Sequence, residues 1–269
     1  MPAERSPVPI PILLFHAVTD RPGPDLATWS VTPERFRQHL DCLRDEGRTP
    51  LTVSGFAAAI TGGQQLPERP VVVSFDDGYA DFVPAAEEMA ARGMVSTMYV
   101  TTGHLVGSPT VGMPSAPMLT AEQLAPLETL GVEIGAHSHH HYHVDVAPRS
   151  VALDEIRRPK VILEDLLGHP VASYAYPHGS YRAAVRQQVR AAGYTSACAV
   201  RNAFSSVGDD PFSLARLTVR EFTTTDTVRD WLQGRGAPIA RDRELWRTKM
   251  WRVRRWAAAG AARQQARGR

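Results

Sequence analysis

Two cysteines in 269 residues, Cys42 and Cys198, are too few and too far apart for a disulfide framework or a cysteine metal site. Each reads as a small buried hydrophobe. No apolar run approaches the roughly 18 residues of a membrane span. Residues 1–11 hold four prolines but lack the apolar core and small-residue cleavage site of a signal peptide, so the expectation is a cytoplasmic protein. Neither sign of charge dominates, with 30 cationic against 28 acidic residues. That balance hides an asymmetry. Residues 235–269 carry eleven Lys/Arg and two Asp/Glu, about +9, which leaves the remainder at about −7. Leu245, Trp246, Met250, Trp251, Val253 and Trp256 are interleaved with those cations, as in an interfacial amphipathic helix. A peripheral contact with an anionic membrane surface is therefore expected of this tail, the alternative being a helix packed on the domain through its tryptophans. Nothing resembles a nucleic-acid-reading motif, and no nucleic-acid partner is expected. With 43% hydrophobic and 22% charged residues, disorder is excluded for the bulk of the chain, and residues 1–234 are expected to form one domain.

Chemistry concentrates in two stretches. Val71-Val72-Val73-Ser74-Phe75-Asp76-Asp77-Gly78-Tyr79 runs a branched strand into adjacent carboxylates and a glycine, and the C-terminal ends of parallel strands are where α/β folds place their sites. Two neighbouring carboxylates repel, and a bound cation or a division of roles removes the conflict. A solvated Asp-Gly turn is the plain alternative. Val132-Glu133-Ile134 likewise feeds Gly135-Ala136-His137-Ser138-His139-His140-His141-Tyr142-His143, which holds five of the ten histidines. Two histidines with one carboxylate form a metal-ligand set that leaves positions open for water and substrate. An incidental metal-sticky tract is the alternative here.

Ser74-Phe75-Asp76-Asp77-Gly78 resembles the T/S-F-D-D-G motif, and His137-Ser138-His139-His140-His141 the H-S/T-x-x-H motif, of the polysaccharide deacetylases with a NodB-homology domain, carbohydrate esterase family 4. Tyr176-Pro177-His178-Gly179-Ser180-Tyr181 resembles the Y-P-x-G-x-Y segment that follows them in many members. The resemblance implies a metal-dependent amide hydrolase on a distorted (β/α) barrel of about seven strands. By the same resemblance Asp76 is the catalytic base. Asp77, His137 and His141 hold one divalent ion, zinc being expected. Tyr176, Pro177 and Gly179 face substrate and oxyanion. Ile12-Leu13-Leu14-Phe15-His16 is similar to the L-x-Y/F-H segment of the branch whose motif histidine lies near the N-terminus, which makes His16 the proton donor; a strand-capping histidine is the alternative. Ala175 and its neighbours lack the arginine that many members place beside the base. Arg216 is the candidate substitute, against an ordinary salt-bridged arginine. His39, His104 and His169 read as surface or core residues, and His139, His140 and His143 receive no role. The implied reaction removes an N-acetyl group from an amino sugar of a polysaccharide, oligosaccharide or glycolipid. Alternatives are a deformylase or esterase on another acyl substrate, and a binding protein that has lost the chemistry.

Helical and strand patterns alternate through the chain, as in a parallel βα barrel. Thr32 caps a helix ending at Gly47, and helices are expected from Thr52 to Gly62, Pro84 to Arg92, Thr120 onward, Ser150 to Leu167 and Ala183 to Ala192. Strands are expected at Ser96 to Val100, Val171 to Tyr176, Thr195 to Val200 and Leu214 to Val219. Gly103 to Met118 is expected to form part of the substrate rim.

Overall fold

Branched and aromatic runs bounded by proline, glycine or acid become the strands of the fold, and the segments with a three-to-four-residue apolar period become its helices. The computed structural model describes residues 8–62, 65–108, 110, 112–240 and 250. In chain order the elements are β1 Ile12–Phe15, β2 Ala17–Val18, β3 Ser30–Val31, α1 Pro33–Asp45, β4 Thr49–Leu51, α2 Val53–Gly62, β5 Pro70–Phe75, α3 Phe82–Ala90, β6 Ser96–Val100, α4 Leu124–Thr129, β7 Val132–Ala136, α5 Arg149–Leu167, β8 Ser173–Ala175, α6 Ala183–Ala191, β9 Ser196–Cys198, β10 Leu217–Thr218 and α7 Thr225–Leu232. Seven parallel strands follow the order β10-β1-β5-β6-β7-β8-β9, with β4 paired to β5 beside that path. The segment leading into β10 joins the two ends of the sheet. Ala199 N–H donates to the Leu214 carbonyl and Leu214 N–H to the Ala197 carbonyl, while Val219 N–H donates to Leu14. The result is the distorted (β/α) barrel expected, in one domain.

Strand β1 is covered on both faces, which is why Ile12, Leu13, Leu14 and Phe15 are all at most 1% exposed. Outside β1 and β5, Phe15, Phe36, Phe75 and Phe82 pack with ring centroids 4.6–5.8 Å apart and anchor α1 and α3 to the sheet. Helix α1 starts where expected, because the Thr32 hydroxyl accepts the Arg35 N–H and Pro33 fills the first helical position. Helix α3 starts two residues before Pro84, since a proline in the first turn forfeits no helical hydrogen bond. Strand β4 was not anticipated, because Pro50 argues against a strand; it survives as a three-residue edge. The loop from Gly103 to Met118 is tied to the acidic turn. Leu119 N–H donates to Gly78, Ala80 N–H donates to Pro117, and Met113 and Met118 pack with Tyr79. Residues to Ala240 belong to the packed chain, since Ala240 N–H donates to Phe204 and Phe204 N–H to Pro238. Apart from Met250, the basic stretch beyond Ala240 lies outside the described residues. Among the described residues no helix is long and apolar enough to cross a membrane.

His39 lies on the apolar face of α1, fully buried. Burial, with Arg35 nearby, lowers its pKa to about 4 from 6.5. The unfolded chain therefore binds this proton more readily. Its stabilising contribution is complete above about pH 6.5 and is lost as the pH falls through about 4, amounting to about 3 kcal/mol at the acid end. His39→Leu should flatten this part of the stability profile. Denaturant midpoints at pH 7 and pH 4.5 check it: a fall as steep as that of the wild type would show that His39 is not the group responsible.

Candidate metal and catalytic site

Parallel strands deliver their C-terminal ends to one mouth of the barrel, and the sequence places acids and imidazoles just past them. His16 follows β1, Asp76 and Asp77 follow β5, and His137 follows β7, with His141 in the loop beyond. Gly135 within β7 is required by close packing, since a Cβ there would lie 2.5 Å from the Tyr99 ring. The backbone is unusual at the mouth. Among the described residues five non-glycine positions have positive φ, and four of them are Asp77 at 78°, Ser138 at 65°, His141 at 60° and His178 at 57°. Such conformations cost on the order of 1–3 kcal/mol each and persist where surrounding contacts impose them, which is typical of functional sites.

The two aspartates part company at once. Asp76 is 2% exposed and is gripped bidentately by Arg216, itself fully buried, with Nη1 to Oδ1 at 2.6 Å and Nη2 to Oδ2 at 2.7 Å. Arg216 Nε–H donates to the Ala199 carbonyl, and its guanidinium lies over the Tyr99 ring. An arginine thus reaches Asp76 from the segment entering β10, not from the neighbourhood of Ala175. Burial alone would raise the Asp76 carboxyl, but Arg216 and His137 outweigh it and bring the pKa to about 2.

Asp77 turns the other way. Its Oδ1 is buried without a hydrogen-bond partner and lies 3.5 Å from His137 Nε2 and 3.4 Å from His141 Nε2. His137 Nδ1–H donates to the Ala175 carbonyl at 2.9 Å, which fixes the tautomer and leaves the Nε2 lone pair facing Asp77. Burial pushes the Asp77 pKa up to about 6 and that of His137 down to about 3. A cation bonded at about 2.0–2.1 Å in a tetrahedral array holds its ligand atoms about 3.3–3.4 Å apart. The Asp77 oxygen stands at about that spacing from both imidazole nitrogens, the three atoms lie within 4.8 Å of one another, and they form one hard and borderline donor set that includes an orphaned carboxylate oxygen. Asp77, His137 and His141 could therefore hold a divalent ion.

His16 is half-buried, packed against Trp29 with centroids 5.2 Å apart and close enough to Asp77 and Asp76 for their charges to act on it. Its Nδ1 is another buried atom without a hydrogen-bond partner. The Tyr176 N–H donates to the Cys198 carbonyl within the sheet, its hydroxyl donates to Phe212, and the Gly179 N–H donates back to Tyr176. Pro177 has no N–H. The donors of Tyr176 and Gly179 are thus engaged within the fold. The segment contributes His178, whose ring lies 4.5 Å from His141 and stacks at 3.7 Å on His143.

Sequence reasoning also missed Glu155, a carboxylate 1% exposed on α5 that accepts hydrogen bonds from the loop carrying His141. A signal was present, because Ala152, Glu155, Ile156, Pro159 and Leu163 form the buried stripe of α5 and only one of them is charged.

Against known proteins, the polysaccharide deacetylase family model matches residues 63–197. YxkH of Bacillus subtilis strain 168 is 23% identical over 214 residues, covering 79% of this chain and 72% of that protein. The poly-beta-1,6-N-acetyl-D-glucosamine N-deacetylase of Escherichia coli K12 is 37% identical over 95 residues, 35% of this chain but only 14% of the enzyme. Among solved structures, the deacetylase PplD of Streptococcus pyogenes, in complex with acetate, superimposes with a TM-score of 0.73 at 25% identity, covering 83% of this chain and 97% of that one. IcaB of Ammonifex degensii shares the fold with a TM-score of 0.72 at 22% identity, covering 84% and 97%. With half its length matched by the family model and its barrel shared with these structures, the chain belongs to the polysaccharide deacetylase family.

Proposed function

We propose that this protein is a metal-dependent hydrolase that removes the N-acetyl group from an amino sugar in a polysaccharide, oligosaccharide or glycolipid. The observation that carries the reading is the division of labour between adjacent carboxylates: Asp76 locked on Arg216, Asp77 turned toward two imidazole nitrogens. The E. coli relative acts on an N-acetylglucosamine polymer by its name, which supports an N-acetylated carbohydrate as partner.

Asp77, His137 and His141 would hold the ion, with zinc favoured by two imidazoles and one carboxylate. When bound, such an ion polarises an acyl oxygen and acidifies water to a pKa of about 7. Asp76 then receives the water's proton on its carboxylate, which Arg216 keeps ionised and in one orientation. So low a basicity suits only an acidified water, and the assignments of base and ligands therefore depend on each other. His16, in its imidazolium form, passes one ring proton to the departing nitrogen and is left as neutral imidazole. An amine is a poor leaving group without that proton, whereas an aryl oxide is a good one.

Mass-spectrometric detection of acetate from N-acetylated glycans and from an activated aryl acetate tests both parts. The wild type should release acetate from both, and His16→Ala should lose most amide cleavage while keeping most ester cleavage. Formate from an N-formyl sugar with no acetate from any glycan would overturn the acetyl assignment. Equal losses on amide and ester would remove His16 from the proton-donor role.

A further inference from the structure

Between the two imidazoles of the triad lie Ser138, His139 and His140, a span whose first and following residues, Ser138 and His141, are both left-handed without being glycine. Such a loop does not hold itself. One constraint is internal, with the Ser138 hydroxyl accepting the His141 N–H at 2.9 Å. Others come from the neighbouring turn, where the Thr102 N–H donates to the Ser138 carbonyl and the Gly103 N–H to the His139 carbonyl, and from α5. Glu155 Oε2 accepts the N–H groups of His139 at 3.0 Å and His140 at 2.8 Å, and Oε1 accepts Nδ1–H of the His140 ring at 2.6 Å. Consecutive N–H groups converging on one anion form a concavity that exists only while the intervening backbone keeps its turn. The carboxylate is buried among apolar neighbours on α5, where an unpaired charge would be untenable, so it faces strong demand for these three donors.

We propose that Glu155 is a positioning residue for the metal centre. Without touching ion or substrate, it fixes the backbone between His137 and His141 and thereby the separation of their Nε2 atoms. The inference rests on the metal-binding reading of the triad. It also gives the extra histidines distinct places: His139 and His140 serve through their main-chain N–H groups, and His140 adds its ring.

The test is binding of Zn2+ to the metal-stripped full chain, read by competition with a chelating dye, with the visible spectrum of the Co2+ form reporting ligand geometry. Glu155→Ala should weaken affinity by on the order of 10- to 100-fold and alter the Co2+ spectrum. Glu155→Asp keeps the charge but falls a methylene short, and should weaken it by about tenfold or more. Glu155→Gln keeps the length and an acceptor oxygen, and should recover most of the affinity. His140→Ala leaves both main-chain bonds in place and should cost only a few-fold. If the alanine variant fails to fold, the aspartate and glutamine variants carry the same comparison. Wild-type affinity in the alanine or aspartate variant, whatever happens to the melting temperature, would overturn the proposal. So would a glutamine variant as weak as alanine, or a wild type that takes up no ion. Acetate release plays no part in this readout, so a failure of the deacetylase reading remains distinguishable from a failure of this one.

Discussion

Asp76→Asn should keep its metal, lose turnover by on the order of a hundredfold or more, and unfold at a markedly lower temperature. The two losses have separate causes. Turnover falls because the amide cannot take the proton from water. Stability falls because Arg216, fully buried and bonded otherwise to Ala199 and weakly to Ser74, is left with an uncompensated charge. Removing one partner of a buried ion pair costs about 3–5 kcal/mol. The catalytic comparison therefore belongs well below the variant's melting transition, with metal content measured on the same sample. A variant that loses metal would show that Asp76 is a ligand. One that keeps its turnover would show that the base lies elsewhere.

Much of this arrangement is legible in the sequence, and the reasons for the exceptions are physical. Strands buried on both faces announce themselves as short β-branched or aromatic runs, which is why β5 and β6 are found where expected. The motif residues at their ends mark the mouth of the barrel. β4 is invisible because its proline argues against a strand and three residues leave no periodicity. Arg216 was discernible only as a candidate, since no local pattern joins residues 140 apart in sequence that meet through a crossover. The pairing of the Tyr176 N–H with the Cys198 carbonyl was not legible either, because a motif names residues without saying where their N–H groups point. Glu155 left a trace, a charge on an apolar helical stripe, but its partners are main-chain groups, which every residue carries and no sequence pattern marks.

Asp77→Ala should abolish metal binding and, with it, hydrolysis. The carboxylate oxygen is the one anionic donor of the triad and stands within 3.4–3.5 Å of both imidazole nitrogens. Two neutral histidines alone form an incomplete set for a retained divalent ion. Little fold stability should be lost. Asp77 has a pKa raised to about 6, and its Oδ1 makes no hydrogen bond that the fold depends on. Truncation relieves a buried carboxylate and breaks no ion pair of the kind that Asp76 makes. Elemental analysis of the wild type and Asp77→Ala, purified side by side at neutral pH with folding checked by circular dichroism, is the most direct measurement. The account predicts about one zinc or other divalent ion per wild-type chain and close to none in a folded Asp77→Ala. Retention of metal in both, or its absence from both after incubation with zinc, would contradict it.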